Sequence, residues 1–259
     1  MAALNEAELY KFREKLKKNE VQFYEFVEPD IGYGITAIAI EPCDKAKKLC
    51  SSFRLAGQPS SKSKQLDLGL IHDYVAKMQS CLQTKGLTVL DHRMAVEKTL
   101  FDVLTPILNG EETGTEIPLP KWFIENKRKI LSSLPSEYTL RKYTRFHDIG
   151  KPWCMVTDEN GKVHFPNHSE ESYKRYLELF PDETEVTELI RHDLDIHTLK
   201  SCELEQFMKS NKNHLTHLVV GLAEILANAL MFGGFQSDSF KIKFKHLERR
   251  GNAMFRIND

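Results

Sequence analysis

From Leu66 to the C-terminus, apolar side chains recur every three or four positions, and this pattern commits most of the chain to helices. Leu66, Leu70, Ile71, Tyr74, Val75, Met78 and Leu82 form one stripe, and Gly86 is well placed to end that helix. A second helix is expected over 89–108, with Val89, Val96, Leu100, Leu104 and Ile107 inward. Further helices are expected near 121–133, 137–148, 169–180, 184–193, 203–210 and 214–232. The last carries Leu218, Val219, Leu222, Ile225, Leu226 and Ala229 and is apolar nearly all round, as a central helix is, with Gly233-Gly234 to stop it. The expectation is a mainly α fold of helical-bundle type.

The first 65 residues read differently. Leu9, Phe12 and Leu16 make a short helical stripe. Gly34 to Ile40 is β-branched and apolar, a buried strand or hairpin arm, and 44–53 suits a short helix. Ala56 to Lys64 has the composition of a mobile loop. A small α/β N-terminal element over 1–65 and a helical domain over 66–259 are therefore expected. A polar loop and a helix inserted near 109–135 interrupt the latter.

The bulk numbers exclude several classes. A hydrophobic fraction of 41% and a charged fraction of 28% are ordinary for a globular protein. A net charge of −1 exerts no global pull on nucleic acid or anionic lipid. No apolar run approaches the ~18 residues needed to cross a bilayer, and residues 1–20 are too polar for a secretory signal, so no membrane partner is expected. Five cysteines at 43, 50, 81, 154 and 202, with no Cys-x-x-Cys spacing, argue against a disulfide framework and a cysteine zinc site. The expected setting is a reducing cytoplasm.

The chemistry gathers around Phe146-His147-Asp148-Ile149-Gly150-Lys151-Pro152. An imidazole and a carboxylate stand side by side at the end of a helix, then Gly and Pro break the chain; nitrogen and oxygen donors delivered together suit a divalent ion. His147 continues the row of Leu140, Tyr143 and Thr144 and should point inward. His92 lies in the first turn of the 89–108 helix, His168 opens a helix, and His192 closes one after Leu189 and Ile190. Glu224 sits among Leu222, Ala223 and Ile225 on the central helix, where an unpaired carboxylate costs several kcal/mol to bury and so needs a partner. A histidine alone at a helix end is more often a cap or a surface residue. His164, His197, His214, His217 and His246 belong to that class, with His197 close enough to the doublet's company to keep in view.

These residues resemble the HD-domain phosphohydrolase superfamily, and in particular the HD modules attached to bacterial tRNA nucleotidyltransferases. The segment His147 to Pro152 resembles that family's central motif; Phe165-Pro166-Asn167-His168-Ser169 and Leu189-Ile190-Arg191-His192 resemble its later segments. The resemblance spans residues 88–235 and is strongest over 140–195. Two departures stand out: His92 lies farther ahead of the doublet than is usual, and Ala223-Glu224 stands where the family has Ala-Asp. The resemblance implies that His92, His147, Asp148 and Glu224 hold a first divalent ion, with Asp148 bridging to a second completed by His168 and His192. Mn, Fe, Co, Ni, Zn or Mg would serve, as one or two ions. Lys151 would contact a substrate phosphate, with Arg145 and Arg191 as further candidates. The implied activity is hydrolysis of a phosphoester of a nucleotide or nucleic-acid end by a metal-activated water, with Asp148 and Lys151 as catalytic residues. Two alternatives stay open: a catalytically degenerate HD domain that binds a nucleotide and regulates a partner, and an RNA-binding accessory protein. The segment Lys241 to Arg250, an amphipathic final helix or strand, offers either a solvated basic face or a track for phosphate.

Overall fold

The computed structural model describes residues 6–28, 34–51, 67–84, 86–109 and 117–257. The Ala56–Lys64 loop and most of the 109–120 loop expected from composition lie outside these residues. The chain divides into two compact units, Met1–Gln65 and Leu66–Asp259.

The first unit contains α1 (Glu6–Lys18), β1 (Phe23–Glu28), β2 (Gly34–Ile40) and α2 (Asp44–Cys50). The apolar segment 34–40 is one arm of an antiparallel hairpin, with Phe23 opposite Ile40 and Phe26 opposite Ala37. Phe12 and Leu16, one turn apart on α1, meet Val21 and Ala46 in a small core closed by Phe23, Ile38 and Ile40.

The second unit is helical. It runs α3 (Leu68–Ser80), β3 (Leu82–Thr84), β4 (Leu87–Thr88), α4 (Val89–Leu108), α5 (Lys121–Glu125), α6 (Lys127–Ser133), α7 (Glu137–Phe146) and α8 (Lys151–Cys154). There follow β5 (Val156–Thr157), β6 (Val163–His164), α9 (His168–Leu179), α10 (Thr184–Arg191), α11 (Asp195–Thr198), α12 (Leu204–Ser210), α13 (His214–Met231) and α14 (Asp238–Ile257). The helix starts are written in short polar side chains. Asp67 accepts the Leu70 N–H, Ser136 accepts the Thr139 N–H, and Thr88 and Asp91 form a reciprocal capping box at the head of α4. The mainly α architecture matches the periodicity of the sequence.

Helix α13 is the centre. Contrary to the expectation that no stretch approaches the length of a membrane span, it has the length and hydropathy of one, but here that apolar surface is mostly buried, with α4, α11 and α14 packed around it. Leu218, Val220, Leu226 and Ala227 are fully enclosed.

Two local readings change, and an alternative left open at the C-terminus is settled. The helix expected over 121–133 is two helices broken at Asn126, whose side-chain amide donates to the Trp122 carbonyl at 2.7 Å and ends α5. Leu82 lies on the hairpin strand β3 and is exposed, because the helix before it already ends at Ser80. The C-terminal segment is one long helix, with Phe240, Leu247 and Met254 buried at seven-residue spacing. The alternation Lys241-Ile242-Lys243-Phe244-Lys245 imitates a strand's period of two and hides that spacing.

The turn between α7 and α8 is set by a close approach. A Cβ on Gly150 would stand 2.3 Å from the backbone N of Ser172 and 2.5 Å from the backbone C of Glu171. The Gly150 N–H donates to Ser172 Oγ at 2.9 Å, which pins the turn carrying His147 and Asp148 onto α9. A side chain there must push two backbones apart. We expect Gly150→Ala to lose about 2–3 kcal/mol, roughly 5–10 °C in the thermal midpoint of a domain of this size. An unchanged midpoint by differential scanning calorimetry would show that the approach is not tight.

Candidate metal centre

Five elements each send one or two polar side chains to a common point. His92 comes from the first turn of α4, His147 caps the C-terminus of α7 and Asp148 follows it. His168 is the first residue of α9, Asp193 lies just past α10, and Glu224 projects from the middle of α13. His92, His147, Asp148 and Asp193 are each at most 3% exposed. Their donor atoms form three overlapping groups, His92/His147/Asp148, His147/Asp193/Glu224 and Asp148/His168/Asp193, each with all atoms within 4.8 Å of one another.

Asp148 is the hub. Its Oδ2 lies 3.3 Å from His147 Nε2 and 3.5 Å from His92 Nε2, while Oδ1 lies 3.6 Å from His168 Nε2. Two of these rings are oriented by their far nitrogens. His147 Nδ1 donates to the Thr144 carbonyl at 2.8 Å, and His168 Nδ1 donates to the Phe165 carbonyl at 3.0 Å, since a carbonyl can only accept. In the neutral rings, both Nε2 lone pairs therefore face a carboxylate oxygen. Lone pair against anion is repulsive unless positive charge stands between them. His147 Nε2 and His92 Nδ1 are buried with no hydrogen-bond partner. This is the donor arrangement that fits a cation, with the second nitrogen of each oriented ring held by backbone.

The titration behaviour points the same way. Burial opposes charge on His147, but Asp148, Asp193 and Glu224 outweigh it and push its pKa up to about 10. A proton thus holds the position that a metal ion would take, and ion binding would release it. Burial holds His92 down to about 4 and also lowers His168, so these rings are neutral donors at physiological pH. Burial alone would raise the Asp148 carboxyl, yet Lys151 and His147 hold it well below the usual carboxylate range. Burial, reinforced by Glu224, pushes Asp193 up to about 7.

The supporting contacts are equally specific. Tyr143 donates its hydroxyl to Asp193 Oδ1 at 2.5 Å, and His217 Nδ1 lies 3.3 Å behind the same hydroxyl. His197 Nε2 pairs with Glu224 Oε2 at 3.0 Å, leaving Oε1 3.7 Å from His147 Nε2. Gly221, one turn before Glu224, makes room: a Cβ there would stand 2.9 Å from Ile196 Cγ2 and 3.3 Å from the His197 ring.

Several expected positions fall elsewhere. His192 is not in the cluster: its side chain is 39% exposed, with Nδ1 at 2.8 Å from Asp195 and Nε2 at 3.7 Å from Glu188. The next residue, Asp193, enters instead, because it continues the buried row of Val186, Leu189 and Ile190 beyond the end of α10. That row is the signal in the sequence that identifies it. Lys151 does not face an open site; its Nζ is buried, bonded to Asp148 at 2.5 Å and to Gln83 at 3.0 Å. Arg145 spends its guanidinium on Glu97, two contacts of 2.8 Å, and Arg191 stacks over Tyr173. Neither arginine reaches the cluster. Neither protein-family models nor curated proteins match the chain.

Imidazole nitrogens mixed with carboxylate oxygens suit a divalent ion of the first transition row or magnesium. The placement of Asp193 gives a test. Below about pH 4 both folded and unfolded chains hold its proton; between there and about 7 only the folded chain does. Above 7 the folded protein carries the full cost of the buried charge, so without metal its stability declines as pH rises through this window. Asp193→Asn should therefore raise the thermal midpoint of the metal-depleted protein at pH 8 by several degrees, as about 1–2 kcal/mol would, and less at pH 5. It should also weaken Mn²⁺ or Zn²⁺ binding in calorimetric titration by roughly 10–100-fold, whereas His192→Ala should leave that affinity within about twofold. The reverse ranking would return His192 to the ligand set.

Proposed function

We propose that the protein is a metal-dependent phosphohydrolase of HD-domain type that hydrolyses a phosphoester of a nucleotide or nucleic-acid end. The observation that carries this reading is Asp148: one buried carboxylate whose two oxygens face imidazoles on opposite sides. His92 and His147 stand against Oδ2, and His168 stands against Oδ1. His92, His147, Asp148, His168, Asp193 and Glu224 would hold one or two divalent ions, Asp193 being within reach both of His147 and Glu224 and of Asp148 and His168. Mn²⁺, Fe²⁺, Co²⁺, Ni²⁺, Zn²⁺ or Mg²⁺ fits these donors. The resemblance to HD-domain proteins implies five of these donors, His92, His147, Asp148, His168 and Glu224, with Asp193 standing where it implies His192.

When bound, such an ion supplies a water of lowered pKa and neutralises charge on a phosphoryl group. The protein's own residues prepare that chemistry. Burial of His92, His147 and Asp148 excludes bulk water and strengthens every charge interaction at the hub. Thr144 and Phe165 fix the ring orientations, Tyr143 fixes Asp193, and His197 fixes Glu224. Glu224 and His197 also line a cavity of ≈ 450 Å³, a size suited to a small-molecule substrate, so Glu224 is the member of the cluster that reaches this cavity.

Lys151 supports a second reading. Its ammonium, 2.5 Å from Asp148, already supplies positive charge at the hub, as a degenerate HD domain that binds a nucleotide without hydrolysis would require. The readings differ in what they predict for activity. On the hydrolase reading, a screen of mononucleotides, cyclic nucleotides, triphosphates and phosphorylated RNA ends with Mn²⁺, Ni²⁺ or Mg²⁺ yields turnover that Asp148→Ala reduces by more than ~100-fold, exceeding the usual cost of losing a residue behind a metal ligand. No turnover with any metal, alongside nucleotide binding, would favour the degenerate domain.

A further inference from the structure

The cavity at Glu224 has a second wall whose chemistry the hydrolytic cluster does not use. Lys243, His246 and Arg250 occur at i, i+3 and i+7 on α14 and face it together, across from Glu224 and Asn228 of α13 and His197 of α11. Among the described residues, no carboxylate lies within ion-pair distance of any of the three. Elsewhere in this unit the comparable cations are taken: Arg141 and Arg145 by Glu97, Lys142 by Glu183, Arg175 by Glu171 and Glu178.

Arg250 is the informative member. Its Nε donates to the Leu199 carbonyl at 3.0 Å, which fixes the guanidinium and leaves its terminal nitrogens for another acceptor. It is partly buried, and burial lowers its pKa with no neighbouring carboxylate to offset that cost. A half-buried cation held by one carbonyl and facing a cavity is arranged for an anion from outside the chain. Glu224 separates this basic wall from His147 and Asp148, so an anion held here is not the one being cleaved at the hub.

We propose that Lys243, His246 and Arg250 form a subsite for a second phosphate group of the substrate, distinct from the phosphoryl group that is hydrolysed. The substrate class is then a nucleotide with two or more phosphates: either a polyphosphate chain or phosphates on both sides of a ribose. This rests on the phosphohydrolase reading for the identity of the other phosphate, but the subsite itself binds without turnover.

Two measurements on the full-length chain test it. Inorganic pyrophosphate titrated into metal-depleted protein should bind. Lys243→Gln and Arg250→Gln should each weaken binding about tenfold or more, as loss of one charge-assisted hydrogen bond does. Lys243 is exposed and makes no other bond among the described residues, so its substitution carries the test even where Arg250→Gln disturbs the contact to Leu199. In the metal-loaded enzyme, both variants should raise KM for a nucleoside 5′-diphosphate or 3′,5′-bisphosphate by a similar factor. The KM for the 5′-monophosphate and kcat for all three should stay within about twofold. The diphosphate and the bisphosphate distinguish the two phosphate arrangements. Equal KM effects on mono- and diphosphorylated substrates, or pyrophosphate affinity unchanged in both variants, would overturn the subsite. If no ester is turned over, the hydrolase reading fails and the pyrophosphate titration alone decides the subsite.

Discussion

A carboxylate that is 2% exposed must be surrounded by donors or positive charge, and Asp148 imposes that demand on the whole helical unit. It is met from four directions. His92 arrives on α4, His147 on the turn of Asp148 itself, His168 on α9 and Lys151 on α8. Each contributor has its own fastening: a capping box at the start of α4, carbonyl acceptors behind His147 and His168, and the Gly150–Ser172 contact that leaves no room for a side chain. The helical packing and the polar cluster are thus one structure, and a change that moves α9 against the Gly150 turn moves the donors as well.

The second layer extends this to the central helix. Glu224 is a carboxylate on an otherwise apolar helix, and it is tolerated because His197 bonds one oxygen while His147 faces the other. Burial would raise the Glu224 carboxyl, but the hydrogen bond and charge of His197 help bring it down to about 2. Gly221 provides the space in which His197 approaches. Asp193 is the contrasting case: Tyr143 bonds it, but burial and Glu224 raise its pKa to about 7, so this is the carboxylate that gains most from a cation.

Much of this was legible in the sequence because the signals were periodic. The mainly α fold, the central helix 214–231 and the inward direction of His147 all follow from apolar rows at helical spacing. What was missed lies where a helix ends. His192 and Asp193 sit just past Arg191: the resemblance of Leu189-Ile190-Arg191-His192 to a family segment favours His192, whereas the buried row of Val186, Leu189 and Ile190, carried past the helix end, leads to Asp193. Lys151, expected to contact a substrate phosphate, is instead enclosed by Asp148 and by Gln83, 68 residues earlier, a partner that sequence does not show. The basic character of Lys241 to Arg250 is legible, but the lysine alternation leaves helix and strand open, and only the helix brings Lys243, His246 and Arg250 onto one face.

Histidine ¹⁵N NMR observes directly the Nε2 atoms gathered around Asp148, the proposed metal ligands. With ¹⁵N-histidine-labelled protein, titration of Zn²⁺ should shift the Nε2 resonances of His147 and His168, and a nitrogen of His92, in saturable proportion to one or two ions. The Nδ1 atoms of His147 and His168 should remain protonated, and the His192 resonances should stay in place. Shifts confined to His192 or other exposed rings, with His147 and His168 unchanged, would contradict the account.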